Sequence, residues 1–138
     1  MDKTVLVMFS LAEGKRLVEL LLQNPKIDLQ AGFWYYQEDV HRWYLVLATP
    51  LVDTQGTSKA YEHIINVMDS MIPQPQWFEF TELYAKSPND PLVKAVQSLG
   101  AVEFGEQGHF LRGRRVGGTY IDEAYVYFVA EEACSAVS

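Results

Sequence analysis

The chain has 138 residues, 49% of them hydrophobic and 21% charged, with a formal net charge of -7. That length fits one domain and that composition is globular, which excludes a disordered chain. The acidic balance argues against wholesale, non-specific binding to nucleic acid, because a negative surface repels phosphate.

In chain order, residues 4–9 form a six-residue apolar run that reads as a strand or a separate turn. One long helix with the next segment is the alternative. Residues 11–23, "LAEGKRLVELLLQ", place Leu11, Leu17, Val18, Leu21 and Leu22 on one side of a helix and Lys15, Arg16, Glu19 and Gln23 on the other. Ser10 stands where a cap belongs, and Asn24-Pro25 ends the helix. Two aromatic and β-branched runs, 31–37 and 42–48, flank a polar connection with Glu38 and Asp39 and predict a hairpin. Both faces of that hairpin are apolar. Such a strand is central in a covered sheet, or one face awaits a partner.

Residues 58–71 have helical spacing, and "PQPQ" at 73–76 breaks it. Residues 77–85, "WFEFTELYA", alternate as a third strand. "SPNDPLVKAVQSLG" predicts a short helix with Asp90 at the N-cap, Pro91 at the first helical position and Gly100 just past the end. Residues 101–104 and 109–112 predict short strands, and 118–130 the strongest late strand. Residues 131–138 read as a flexible polar tail. The order predicts one α+β domain over 1–130, with a mostly antiparallel sheet of about five or six strands, two longer helices and one short one.

Several chemistries lack their residues. The histidines, His41, His63 and His109, are scattered and belong to no zinc pattern, so no metal or other cofactor is expected. No phosphate-binding loop and no nucleophile elbow occurs. The triplet Glu13-Gly14-Lys15 opens a helix, the wrong setting for a nuclease carboxylate–lysine pair. Cys134, the one cysteine, lies in the tail and cannot form an intrachain bridge. No leader of the secretory kind precedes the first elements, and no apolar run approaches the roughly 18 residues of a membrane span. A cytoplasmic protein is the expectation. Asp122 and Glu123 are adjacent on a strand and point to opposite faces, so they do not form a catalytic carboxylate pair by themselves. Asn89 and Asp90 are explained by capping.

Two places remain. The hairpin aromatics Trp34, Tyr36, Trp43 and Tyr44 form a candidate subunit interface, with a base-stacking platform of Trp34, Tyr35, Trp43 and Tyr44 as the less favoured reading. "GHFLRGRRVGG" carries His109, Arg112, Arg114 and Arg115 between glycines, a candidate anion site. By strand alternation Arg112 and Arg114 share a face and Arg115 points away. Solvated arginines paired with Glu103, Glu106, Asp122 or Glu123 are the plainer alternative.

"WYLVLATPLVD", "SPNDPLVKAV" and "YIDEAYVY", in that order, resemble stretches of a recurrent group of small bacterial proteins to which no activity is assigned. The resemblance spans residues 11–129. It implies a bacterial single-domain protein and no ligand or catalytic residue. The expected function is a non-enzymatic binding or assembly module, self-associating as a homo-oligomer. Phosphate or nucleic-acid binding at the arginine hairpin is the alternative, and a small hydrolase a weaker one.

Overall fold

The computed structural model describes residues 8–37, 39, 42–71, 82–105, 108–116 and 118–130. Its elements are α1 (Met8–Leu22), β1 (Ala31–Gln37), β2 (Arg42–Ala48), α2 (Leu51–Gln55), α3 (Thr57–Asp69), β3 (Glu82–Lys86), α4 (Pro91–Gln97), β4 (His109–Val116) and β5 (Thr119–Val129). Five strands form one sheet in the order β3-β2-β1-β5-β4. All neighbours pair antiparallel except β2 and β3, which are parallel. Val102 adds a single bridge to Val129. This is the expected α+β architecture with a mostly antiparallel sheet.

The β1–β2 hairpin has the expected bounds, with Ala31 opposite Ala48 and Gln37 opposite Arg42. Its two apolar faces are both covered within the chain. On one face Trp34, Tyr36, Trp43, Leu45 and Leu47 pack with Leu17, Val18 and Leu21 of α1 and with Ala60, Ile64 and Met68 of α3. On the other, Phe33, Val46 and Ala48 pack with Val93, Ala95 and Val96 of α4. The sheet is therefore the middle of three layers, and central strands buried on both faces read as continuous apolar runs.

Elsewhere the structure departs from the sequence expectations. The first helix already begins at Met8, so the split before Leu11 does not hold over 8–10, while residues 1–7 lie outside the described set. An additional short helix, α2, precedes α3, and Gly56 between them has φ 94. Together α2 and α3 form the crossover that a parallel β2–β3 pair requires. The third strand begins its described part at Glu82, and residues 72–81 lie outside. Residues 101–104 contribute only the Val102 bridge. Residues 131–138, the expected tail, are also outside. The short helix α4 is built as expected: the Asp90 carboxylate accepts from the Leu92 N–H at 2.9 Å, and Pro91 takes the first helical position.

A bulge in β5 lies opposite the step from Gly32 to Phe33, where the pairing passes from Phe128 directly to Val126. The extra residue, Tyr127, points to α1. Its hydroxyl accepts from Trp34 Nε1 at 2.9 Å and donates to the carbonyl of Leu11. Gly14 is where α1 crosses these two groups: a Cβ there would lie 2.7 Å from the Tyr127 hydroxyl and 2.9 Å from Trp34 Nε1. No described helix is long and apolar enough to cross a membrane.

Candidate functional site

The arginine segment is strand, not turn. β4 runs from His109 through Val116, and only 117–118 connect it to β5. Arg112 lies opposite Glu123, Arg114 opposite Ile121 and Arg115 opposite Tyr120, in one unshifted register. Alternation nevertheless slips inside this ladder. Leu111 and Val116, an odd five positions apart, both pack on the α4-side cluster, as do Ala124 and Ile121 across from them. The slip is at Gly113, which has φ 56, a left-handed value that glycine adopts without strain.

The backbone therefore does not alternate regularly between positions 112 and 116. Arg112 takes the face of Phe110 and Glu123, away from α4. After the slip, Arg115 returns to that face with Tyr120, while position 114 is opposite Ile121 of the α4-side cluster. The Arg114 side chain lies outside what the structure describes. The Arg112 guanidinium stands 5.9 Å from the Phe110 ring centre and Arg115 stands 5.6 Å from that of Tyr120. Phe110 in turn meets Tyr125 edge-on at 5.1 Å. Phe110 and Tyr120 are 55% and 49% exposed, large aromatic surfaces on the outermost strand pair. Arg112 approaches Glu123 only to 3.9 Å, with its side chain 74% exposed against 14% for the carboxylate. His109 is exposed at the start of the strand.

The backbone supplies the second half of the site. β4 is the last strand of its side of the sheet, so alternate N–H and C=O groups face away from β5. Among the described residues, no strand pairs with them. The opposite edge is treated differently. Thr49 N–H donates to the Lys86 carbonyl, so the even positions of β3 face β2 and the odd ones face outward. There the Tyr61 hydroxyl, from α3, donates to the Leu83 carbonyl at 3.0 Å and accepts from the Ala85 N–H at 3.1 Å. A helix side chain thus closes one edge, while among the described residues no strand or helix side chain takes the outward groups of the other. The sequence offered no signal for this, since Tyr61 reads as one more apolar position on α3.

The other candidate does not survive the packing. Trp34, Tyr36, Trp43 and Tyr44 are all buried inside one chain, at 0%, 0%, 7% and 6% exposure. Tyr36 packs on Trp43 at 5.3 Å and Tyr44 stacks on Tyr84 of β3 at 4.4 Å. They hold the sheet together and offer no surface for a subunit or a base. Tyr35, half-buried on the α4 side, has its hydroxyl pKa raised by burial and then by the carboxylates of Asp122 and Asp39. Glu123, next to Asp122, faces Tyr36 and Arg112 instead, so the two acids diverge as alternation expected.

A shallow cleft of about 360 Å³ lies where β3 meets α4, lined by Val52, Ala85, Lys86, Ser87, Asn89 and Asp90. Its polar groups are engaged with one another. Ser87 Oγ donates to Asp53 at 2.8 Å and accepts from the Asn89 N–H at 2.9 Å, while Lys86 reaches Asp90 at 3.5 Å. Among the residues lining it there is no histidine, and the Ser87 hydroxyl is engaged by the Asp53 carboxylate. Among the described residues no cluster of histidine, cysteine and acidic side chains is arranged to hold a metal ion. His41 and Cys134 lie outside the described residues. Set against protein-family models, curated proteins and solved structures, the chain matches none of them.

Proposed function

We propose that this protein is a non-enzymatic binding module that works through the open edge of β4. The observation that carries this reading is the contrast between the two sheet edges. Tyr61 occupies outward groups of β3, whereas among the described residues no strand takes the alternate outward groups of the eight-residue β4, beside the exposed rings of Phe110 and Tyr120. Proteins recognise extended peptides by adding them to such an edge, with main-chain hydrogen bonds for affinity and flanking side chains for selectivity. A cytoplasmic setting belongs to this reading, because a lone cysteine cannot staple the chain. Self-association through the hairpin aromatics loses its basis with their burial. A β4–β4 contact between two copies would also bring two arginine-bearing strands together, and like charges facing each other are unfavourable.

Display of random peptides against the immobilised protein tests this. Peptides selected on the native chain should lose binding to Phe110→Ser/Tyr120→Ser, whose positions are exposed and whose folding is checked by circular dichroism. Peptides that bind this variant as well as the native chain would place recognition elsewhere.

A further inference from the structure

Resting on that reading of the β4 edge, we infer that its partner is an acidic extended polypeptide segment, added as one more strand beside β4 with its carboxylates over Arg112 and Arg115. The chain carries 11 basic against 18 acidic residues, yet three of the basic ones fall within residues 112–115. The slip at Gly113 decides what those arginines can do. It turns Arg112 and Arg115 to one face, three positions apart, instead of opposing them.

Their side chains are aimed as well as charged. Each guanidinium lies near an aromatic ring of its own hairpin, Phe110 for Arg112 and Tyr120 for Arg115. Local acid does not satisfy them. Glu123 is 3.9 Å from Arg112 and largely covered, leaving most of that guanidinium in water. Arg115 meets no carboxylate among the described residues; its contact is the Tyr120 ring. An incoming strand presents alternate side chains on each face about 6.5–7 Å apart, and the two arginines are about 10 Å apart along β4, a difference that their long side chains span to reach acidic residues on the strand's α4-distal face. Arginine–carboxylate pairs there are bidentate and charge-assisted.

The same charge pattern selects between partners. A second copy would bring its own arginines against these. A polyphosphate chain has no backbone N–H or C=O to complete the β4 ladder. A polypeptide acid satisfies both the ladder and the arginines.

Fluorescence polarisation with three labelled probes tests the inference: an eight-residue peptide alternating valine and glutamate, its valine–lysine counterpart, and oligo-dT of matching length. The glutamate peptide should bind at least about tenfold more tightly than either other probe, and weaken as salt is raised. Arg112→Ala/Arg115→Ala should abolish that preference, and Arg112→Lys/Arg115→Lys should keep part of it by retaining the charge. Equal binding of both peptides with β4 amide shifts in ¹⁵N spectra would overturn the acidic partner while leaving the edge reading intact. Tighter binding of oligo-dT would overturn it in favour of a phosphate site. Peptide binding that leaves the β4 amides unmoved, or no peptide binding at all, would overturn the edge reading itself.

Discussion

Gly113 and Tyr127 show how single residues set the geometry on which the larger claims stand. A side chain at 113 would have room, its nearest neighbour being the Tyr120 hydroxyl at 3.5 Å from a Cβ. The backbone at φ 56 is what it would resist. Gly113→Val should therefore cost about 1–3 kcal/mol from strain and not from a clash, read as a lower denaturation midpoint. It should also disturb Arg115 and Tyr120 signals more than those of the core. Tyr127 is held neutral: burial raises its hydroxyl pKa far above the usual 10.0, against a smaller opposing pull from the Trp34 hydrogen bond. The unfolded chain releases this proton near pH 10 and the folded one does so well above. Its contribution to stability is thus complete below pH 10 and lost as pH climbs beyond it, at up to about 1.4 kcal/mol per pH unit. Urea midpoints measured between pH 9 and 11 should fall more steeply for the native chain than for Tyr127→Phe. Parallel slopes would show that the hydroxyl titrates normally.

At the scale of elements, the segments that sequence resolved well were those whose signal is local. The β1–β2 hairpin was legible to the residue because aromatic and β-branched runs end sharply at polar positions. α4 was legible because Asp90 and Pro91 specify its start chemically. α2 was not, since five residues carry no period, and Thr54 and Gln55 resemble a loop. The candidate site was legible as a location but not as a geometry. Strand alternation assumed a regular backbone through "RGR", and a glycine that inverts the face leaves no mark in the pattern other than being glycine. Two-sided apolarity in the hairpin left open whether a partner or the chain's own helices cover it. Only the tertiary packing of α1 and α3 on one face and α4 on the other decided that. Tyr61 is the element-level contact with the clearest consequence. Removing its hydroxyl in Tyr61→Phe leaves a half-buried carbonyl and N–H of β3 without their partner and should cost about 1–2 kcal/mol in chemical denaturation. An unchanged midpoint would mean water replaces the hydroxyl without loss.

At the scale of the whole molecule, the protein is three-layered, with one sheet edge closed by Tyr61 and the other, among the described residues, without a paired strand. Its aromatic content builds the middle layer, with Phe110 and Tyr120 exposed on the outer strands. Three of its 11 basic residues lie on the outermost described strand, β4. Native proteins blunt exposed edges with charges and twists, and the arginines and the Gly113 slip do both, which disfavours pairing between identical copies while leaving the ladder available to an oppositely charged strand. The most direct measurement is amide hydrogen exchange of the free protein, resolved by residue. The open-edge account predicts that alternate amides of β4 exchange within the fastest strand class while their neighbours bonded to β5 are protected. It also predicts protection at Ala85, lost in Tyr61→Phe. Uniform protection along β4 in the monomeric chain would show that its outer edge is already covered, and would contradict the account.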